Sequence, residues 1–211
     1  MKDSKRIEID YDQPDQAVVD DAATVLRNGG IVVAPTETQY GLLCNAHSHA
    51  AIERLFELKA RPRSLPMAVF VSSIDELADY GTVNPAAAAL AAQFLPGPLT
   101  LVIEAKPHYP EPPALQGRIG LRVSPASIIQ KLCAAVDFPL SATSANRTNE
   151  PTPATAVEIE NLFGDEVDRY LDAGRCDRVA STVVDTTASP PRILREGAVT
   201  RADIERVTKE M

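Results

Sequence analysis

The chain has 211 residues, 45% of them hydrophobic and 24% charged, which is apolar material for one large domain or at most two small ones. Its 21 basic and 29 acidic residues leave a formal net charge of −8. That balance argues against a broad nucleic-acid-binding face, which needs a basic footprint to neutralise phosphates, but it leaves room for a small basic pocket.

The opening Met1-Lys2-Asp3-Ser4-Lys5-Arg6 leads into no apolar run, so no signal peptide is expected. No stretch approaches the roughly 20 apolar residues of a membrane span. The first helix is predicted from Pro14 towards Asn28, with Val18, Ala22, Val25 and Leu26 as its apolar stripe and Gly29-Gly30 as its stop. Ile31 to Ala34 reads as a buried strand ended by Pro35, followed by a polar loop, Thr36-Glu37-Thr38-Gln39-Tyr40-Gly41. A helix from Ser48 to Lys59 places Ile52, Leu55 and Phe56 on one face. Met67 to Val71 is a second buried strand, and Ser73-Ile74-Asp75-Glu76 has capping-box spacing, so a helix is predicted to start there.

Asn84-Pro85 opens an alanine-rich helix to about Phe94, broken by Pro96-Gly97-Pro98. Strands are predicted at Leu99 to Ile103 and Ile119 to Val123, with a helix from Ala126 to Val136. Thr155 and Glu158 form another capping box, Thr182 to Asp185 and Arg192 to Leu194 read as late strands, and Thr200 to Lys209 as a closing helix. Prolines around 107–113 and 151–153 mark ordered surface loops. Strands and helices interspersed in this way, with no linker between them, predict a single α/β domain with a mixed or twisted sheet.

Walker-type, Rossmann-type, zincin and nucleophile-elbow signatures are absent. A phosphate site would therefore rest on basic side chains and on hydroxyl or backbone donors. The densest basic cluster is Lys59-Ala60-Arg61-Pro62-Arg63. Pro62 disfavours helix at Arg61, and an extended exit would point Lys59 and Arg61 to the same side; the ordinary alternative is compensation of a helix C-terminus beside a solvated turn. Ser141-Ala142-Thr143-Ser144-Ala145-Asn146 follows apolar Phe138-Pro139-Leu140 and reads as a hydroxyl- and amide-rich turn at a strand end, where α/β folds often bind ligands; an ordinary Ser/Asn turn is the competing reading.

Cys44, Cys133 and Cys176 form no C-x-x-C pair and are expected as free thiols in a reducing cytoplasm, Cys44 in the core beside Leu42-Leu43. His47 and His49 have no evident third ligand, His108 being remote, and are expected as exposed loop residues; no metal site is predicted.

Taken in order, P-T-E-T-x-Y-G, K-x-R-P, P-G-P-L-T, G-x-R-V, S-x-N with a following P-T-P, S-T-V-V-D and L-R-E-G resemble the YrdC/YciO family over roughly residues 15 to 200. The resemblance implies a twisted mixed sheet forming an open cavity flanked by helices, as one domain over 1–211 with a core of about 12–197 and a short helix at 200–210. It implies ATP-dependent synthesis of threonylcarbamoyl-AMP from L-threonine and bicarbonate, with release of pyrophosphate, for threonylcarbamoyladenosine in tRNA, and Mg²⁺ expected with the ATP. Downstream transfer proteins would be partners, and direct tRNA or double-stranded RNA binding is disfavoured by the charge.

Carried onto this chain, the resemblance assigns Lys59, Arg61, Ser144 and Asn146 to catalysis. It assigns Lys59, Arg63, Arg118, Ser144, Thr152 and Arg195 to ATP, and Thr36, Arg122, Thr143 and Ser181 to threonine. Arg122 is the expected bidentate partner of the amino-acid carboxylate. Gln39, Leu43, Cys44 and Met67 depart from the family pattern and are expected at the pocket rim, where they bear on substrate choice. Two alternatives follow: a related carbamoyl-adenylate enzyme with another amino acid, and a non-catalytic nucleotide- or double-stranded-RNA-binding relative. Longer relatives carry a further C-terminal domain, which this chain is expected to lack.

Overall fold

The computed structural model describes residues 5–107 and 114–209. Most of the loop expected at 107–113, with His108, lies outside them, as do the first four residues and residue 210 of the expected closing helix. Eleven strands are joined edge to edge, in the order β1 (Arg6–Glu8), β9 (Arg169–Asp172), β2 (Val32–Ala34), β3 (Gly41–Leu43), β8 (Leu140–Ser144), β4 (Ala68–Phe70), β7 (Arg118–Arg122), β6 (Leu99–Ala105), β10 (Thr182–Asp185) and β11 (Arg192–Arg195), while β5 (Gly81–Thr82) pairs with β6. Pairings are mixed: β4 is parallel to β7 and antiparallel to β8, and β6 is parallel to β10 and antiparallel to β7.

Helices pack against the sheet and leave part of one face open. α1 (Gln16–Arg27) buries Val19, Ala22, Ala23 and Leu26, a face one position round from the predicted stripe, because Val18 and Val25 are only half buried. Those residues pack with Ile128, Ile129 and Leu132 of α5 (Ser127–Ala135) in one apolar cluster. Each fully buried Leu or Ile there contributes roughly 1.5–3 kcal/mol. Gly29, at φ +78°, takes the left-handed conformation that ends α1. α4 (Pro85–Phe94) starts where predicted, with the Asn84 side chain capping Ala87 N–H at 2.9 Å. α6 (Ala156–Phe163) carries the full Thr155–Glu158 capping box, and α7 (Arg201–Lys209) the Thr200–Asp203 equivalent.

Two further expectations change. The box at Ser73 is only half made: Ser73 Oγ caps Glu76 N–H at 3.4 Å, but the Glu76 carboxylate turns back to Ser72, and α3 begins only at Leu77 and ends at Tyr80. Residues 141–144, expected in a turn, continue the strand, because β8 is gripped on both edges, by β3 and by β4.

Candidate active site

Alternation along neighbouring strands builds the site. Register pairs Ala68 with both Gly120 and Ala142, Phe70 with Arg122, Val102 with Gly120, Val183 with Thr100 and Asp185 with Val102. These residues share one sheet face. Their neighbours Val69, Leu101, Ile103, Ile119, Leu121 and Val184 point to the other face and into the core. The exposed concave face lines a cavity of about 410 Å³, within the range of small-molecule sites. Gly120 sits in its floor, where an added Cβ would meet Ala68 Cβ at 3.2 Å and Thr100 Cγ2 at 3.5 Å. The loop 36–41, the strand end 142–144 and residues 180–181 complete the wall.

Arg61, Arg118, Arg122, Arg192 and Arg195 all line this cavity, against one lining carboxylate among the described residues, Asp185. Asp185 is buried. Burial raises its pKa, but hydrogen bonds from Thr187 and the charges of Arg118 and Arg192, at 3.5 and 3.4 Å, outweigh that and leave it lowered. Arg195 donates to Ser181 O at 2.8 Å and to Ser181 Oγ at 3.0 Å, fixing the Ser181 hydroxyl beside Thr100 Oγ1 at 3.2 Å.

Lys59 and Arg61 do not leave the helix on an extended strand. Lys59 caps α2 (His49–Leu58) in helical geometry, and Ala60 then turns left-handed at φ +47°. The two side chains part. Arg61 lies over the Phe56 ring at 5.9 Å, donates to Pro66 O and keeps Nε buried without a partner. Lys59 is 2% exposed and turns behind the cavity wall, donating Nζ to Ser144 O and, at 2.7 Å, to Asn146 O. Its backbone carbonyl accepts from Thr148 N at 2.8 Å, so α2 is latched to the 144–148 turn at two points. Among the described residues no carboxylate pairs with this amine; burial, and then repulsion from Arg61, lower its pKa to about 7.

Asn146 is the hub of that turn. Its Oδ1 accepts from Ser144 Oγ and from Thr152 Oγ1 at 3.4 Å, and its Nδ2 donates to Arg147 O and Glu150 O. Of the expected catalytic four, then, Arg61 and Ser144 face the cavity, while Lys59 and Asn146 stand behind Ser144.

On the other side, Thr36, Thr143, Ser181 and Arg122 all line the cavity. Arg122, however, is already engaged: Nε and Nη2 donate to Glu37 Oε1 at 3.2 and 2.6 Å, and Nη2 donates to Thr38 Oγ1 at 2.7 Å. Its guanidinium also lies over the Phe70 ring at 5.4 Å. The fork edge expected to meet a substrate carboxylate is thus taken by Glu37, because both groups are buried and each is the other's counter-charge. Arg63 lies outside the cavity as an exposed side chain paired with Glu53 of α2. Gln39 and Met67 line the cavity as expected at the rim, but Leu43 and Cys44 are fully buried in the core. There burial pushes the Cys44 thiol up to about 12.

Glu37, Asp185 and Arg192 also carry charge here, and none of them is among the candidate residues that the motifs supply. Glu37 and Asp185 sit inside motifs already noted, and two-residue alternation in Arg192-Ile193-Leu194 would have put Arg192 on the Leu194 side. Among the described residues there is no group of three or more metal-binding side chains and no helix long and apolar enough to cross a membrane.

The Sua5/YciO/YrdC family model, described as telomere recombination, matches residues 24–197. The threonylcarbamoyl-AMP synthase of Pyrococcus abyssi is 35% identical over 195 residues, 90% of this chain and 57% of its own length. The chain therefore spans little more than half of that relative. A crystal structure of P. abyssi Sua5 complexed with L-threonine superposes with a TM-score of 0.88 at 32% identity, over 96% of this chain and 60% of that one. The E. coli YciO crystal structure gives 0.85 at 28% identity, over 92% of this chain and 95% of that one. A family match across most of the sequence and a shared fold around this arginine-lined cavity agree: the chain belongs to the Sua5/YciO/YrdC family.

Proposed function

We propose that the protein makes threonylcarbamoyl-AMP from L-threonine, bicarbonate and ATP, releasing pyrophosphate. The observation that carries this reading is the five-arginine lining of one cavity in a chain of net charge −8. Positive charge so concentrated, facing a partly desolvated space, suits a polyphosphate and a carboxylate bound together. Support for the amino acid comes from the relative whose crystal form holds L-threonine.

In the proposed reaction the threonine amine takes up the carbon of bicarbonate, with loss of water, to give a carbamate. A carbamate oxygen attacks the α-phosphorus of ATP, the bond to the bridging oxygen breaks, and pyrophosphate leaves. ATP enters as its magnesium complex, the metal being part of the substrate.

Arg61, Arg118, Arg192 and Arg195 stabilise charge on the phosphates, and catalysis is mostly positioning and electrostatics. Ser144 presents its hydroxyl to the nucleotide, held by Asn146, with Thr152 behind. Lys59 acts through that turn and as a nearby positive charge rather than by contact. Arg122 offers its Nη1 side to the threonine carboxylate, with Thr36, Thr143 and Ser181 around the amino acid. The product would supply tRNA threonylcarbamoylation through transfer proteins in the cytoplasm, where free Cys44, Cys133 and Cys176 stay reduced.

The test is pyrophosphate release by the purified protein with ATP, bicarbonate, Mg²⁺ and either L-threonine or no amino acid. Release that depends on threonine supports the reading, and its absence overturns it.

A further inference from the structure

We infer that Glu37 is a positioning residue that fixes the recognition edge of Arg122, holding the guanidinium by its Nε–Nη2 side so that only the Nη1 side is offered to a carboxylate in the cavity. The inference rests on the reading of Arg122 as the carboxylate partner of the amino acid.

The contacts define the device. Glu37 Oε1 takes both Arg122 donors on one edge, at 3.2 and 2.6 Å. The remaining Nη2 hydrogen goes to Thr38 Oγ1 at 2.7 Å, and the Phe70 ring lies against the guanidinium plane. An arginine has five donors, and these contacts use three, leaving the two on Nη1. Glu37 cannot swing freely, because its Oε2 accepts from Ser124 Oγ. Ser124 is itself anchored, its Oγ accepting from Ala126 N at 3.2 Å and its carbonyl from Gln130 Nε2 at 2.6 Å.

The loop carrying Glu37 is closed as well. Thr36 Oγ1 accepts from Thr38 N at 3.1 Å and Gln39 N at 3.2 Å and donates to Gln39 O at 2.7 Å. The Thr36 hydroxyl is thereby committed to holding the turn. The side chains of the ion pair are 9% and 8% exposed, so an unpaired Arg122 would be a buried, uncompensated cation free to choose other rotamers. Glu37 removes that freedom before substrate arrives, which lowers the ordering cost of binding.

Calorimetric titration of L-threonine into wild type, Glu37→Gln, Arg122→Lys and the double variant tests this, with ATP titrated in parallel. Glu37→Gln is expected to bind threonine up to about tenfold more weakly, the cost of ordering one long side chain at the moment of binding, with ATP affinity within about twofold. The double variant is expected to be no weaker than Arg122→Lys alone, since Glu37 acts through that side chain. Threonine affinity equal to wild type in Glu37→Gln, or losses that simply add in the double variant, overturn the inference. Wild type that does not bind threonine at all brings down the proposed function and this inference with it. Should Glu37→Gln fail to fold, Ser124→Ala is titrated instead: about threefold weaker threonine binding is expected from loosening the Glu37 anchor, and unchanged affinity overturns the inference.

Discussion

Replacing Lys59 with methionine keeps the apolar stem of the side chain and removes an ammonium that the fold holds without a counter-ion. Burial, and then Arg61, bring its pKa from 10.5 to about 7. Below about pH 7 the amine is protonated in both folded and unfolded chains, and folding carries the whole cost of burying the charge. Above that, the folded chain gives up its proton first and the unfolded chain holds more protons, so stability rises with pH until the unfolded amine titrates. At 1.36 kcal/mol per unit the full shift has a ceiling of roughly 5 kcal/mol, of which about 2 kcal/mol falls between pH 7 and pH 9.

The buried thiols work the other way. Burial pushes Cys44 and Cys133 up to about 12, so the folded chain keeps protons that the unfolded chain loses, and stability falls above roughly pH 8.5. That trend is common to wild type and variant, and the difference between them isolates Lys59. Urea unfolding at pH 7, 8 and 9 is therefore expected to give wild type a stability gain about 2 kcal/mol more positive than that of Lys59→Met across the range. Parallel curves for the two proteins would refute the placement of this amine as a buried, unpaired cation.

Arg61→Ala is expected to lower threonine-dependent pyrophosphate release by about 100-fold or more with little change in melting temperature, whereas Arg63→Ala, an exposed partner of Glu53, should stay within about twofold of wild type. Gly120→Val places branched carbon against Ala68 and Thr100 in the cavity floor; thermal unfolding should register a loss of about 1–3 kcal/mol, and ATP or threonine binding should weaken as the space fills. Asp185→Asn leaves Arg118 and Arg192 facing each other without their shared carboxylate. Because the Asp185 pKa is lowered, wild type draws stability from it above the ordinary carboxylate range and loses it as pH falls through the folded value, so the variant's acid unfolding curve should be shallower.

Elements with chemical punctuation were legible in the sequence. Asn84-Pro85 and Thr155–Glu158 mark helix starts because one side chain caps a neighbouring backbone N–H, a strictly local event. β1, β3, β5 and β9 were missed for the opposite reason: two to four residues are too few to show a period, and Arg169–Asp172 is a strand because β1 and β2 flank it from distant parts of the chain. The motifs located the segments of the site but not the direction of their side chains. Lys59 turned towards two carbonyls 85 and 87 residues away, and Glu37 claimed an arginine 85 residues on. Neither partnership follows from spacing, since each is settled by which strand lies next to which.

The placement of β8 between β3 and β4 also governs how the molecule comes into being. One half of the sheet is finished only when β9 slots between β1 and β2, and the other only when β10 joins β6. A chain emerging from the ribosome must therefore carry two incomplete sheets with open edges until its last fifth is made, with residues 140–144 the first link between them. Such non-local closure makes for slow folding and a long exposure of unpaired strands, so synthesis itself is the stage at which this protein most needs protection from aggregation.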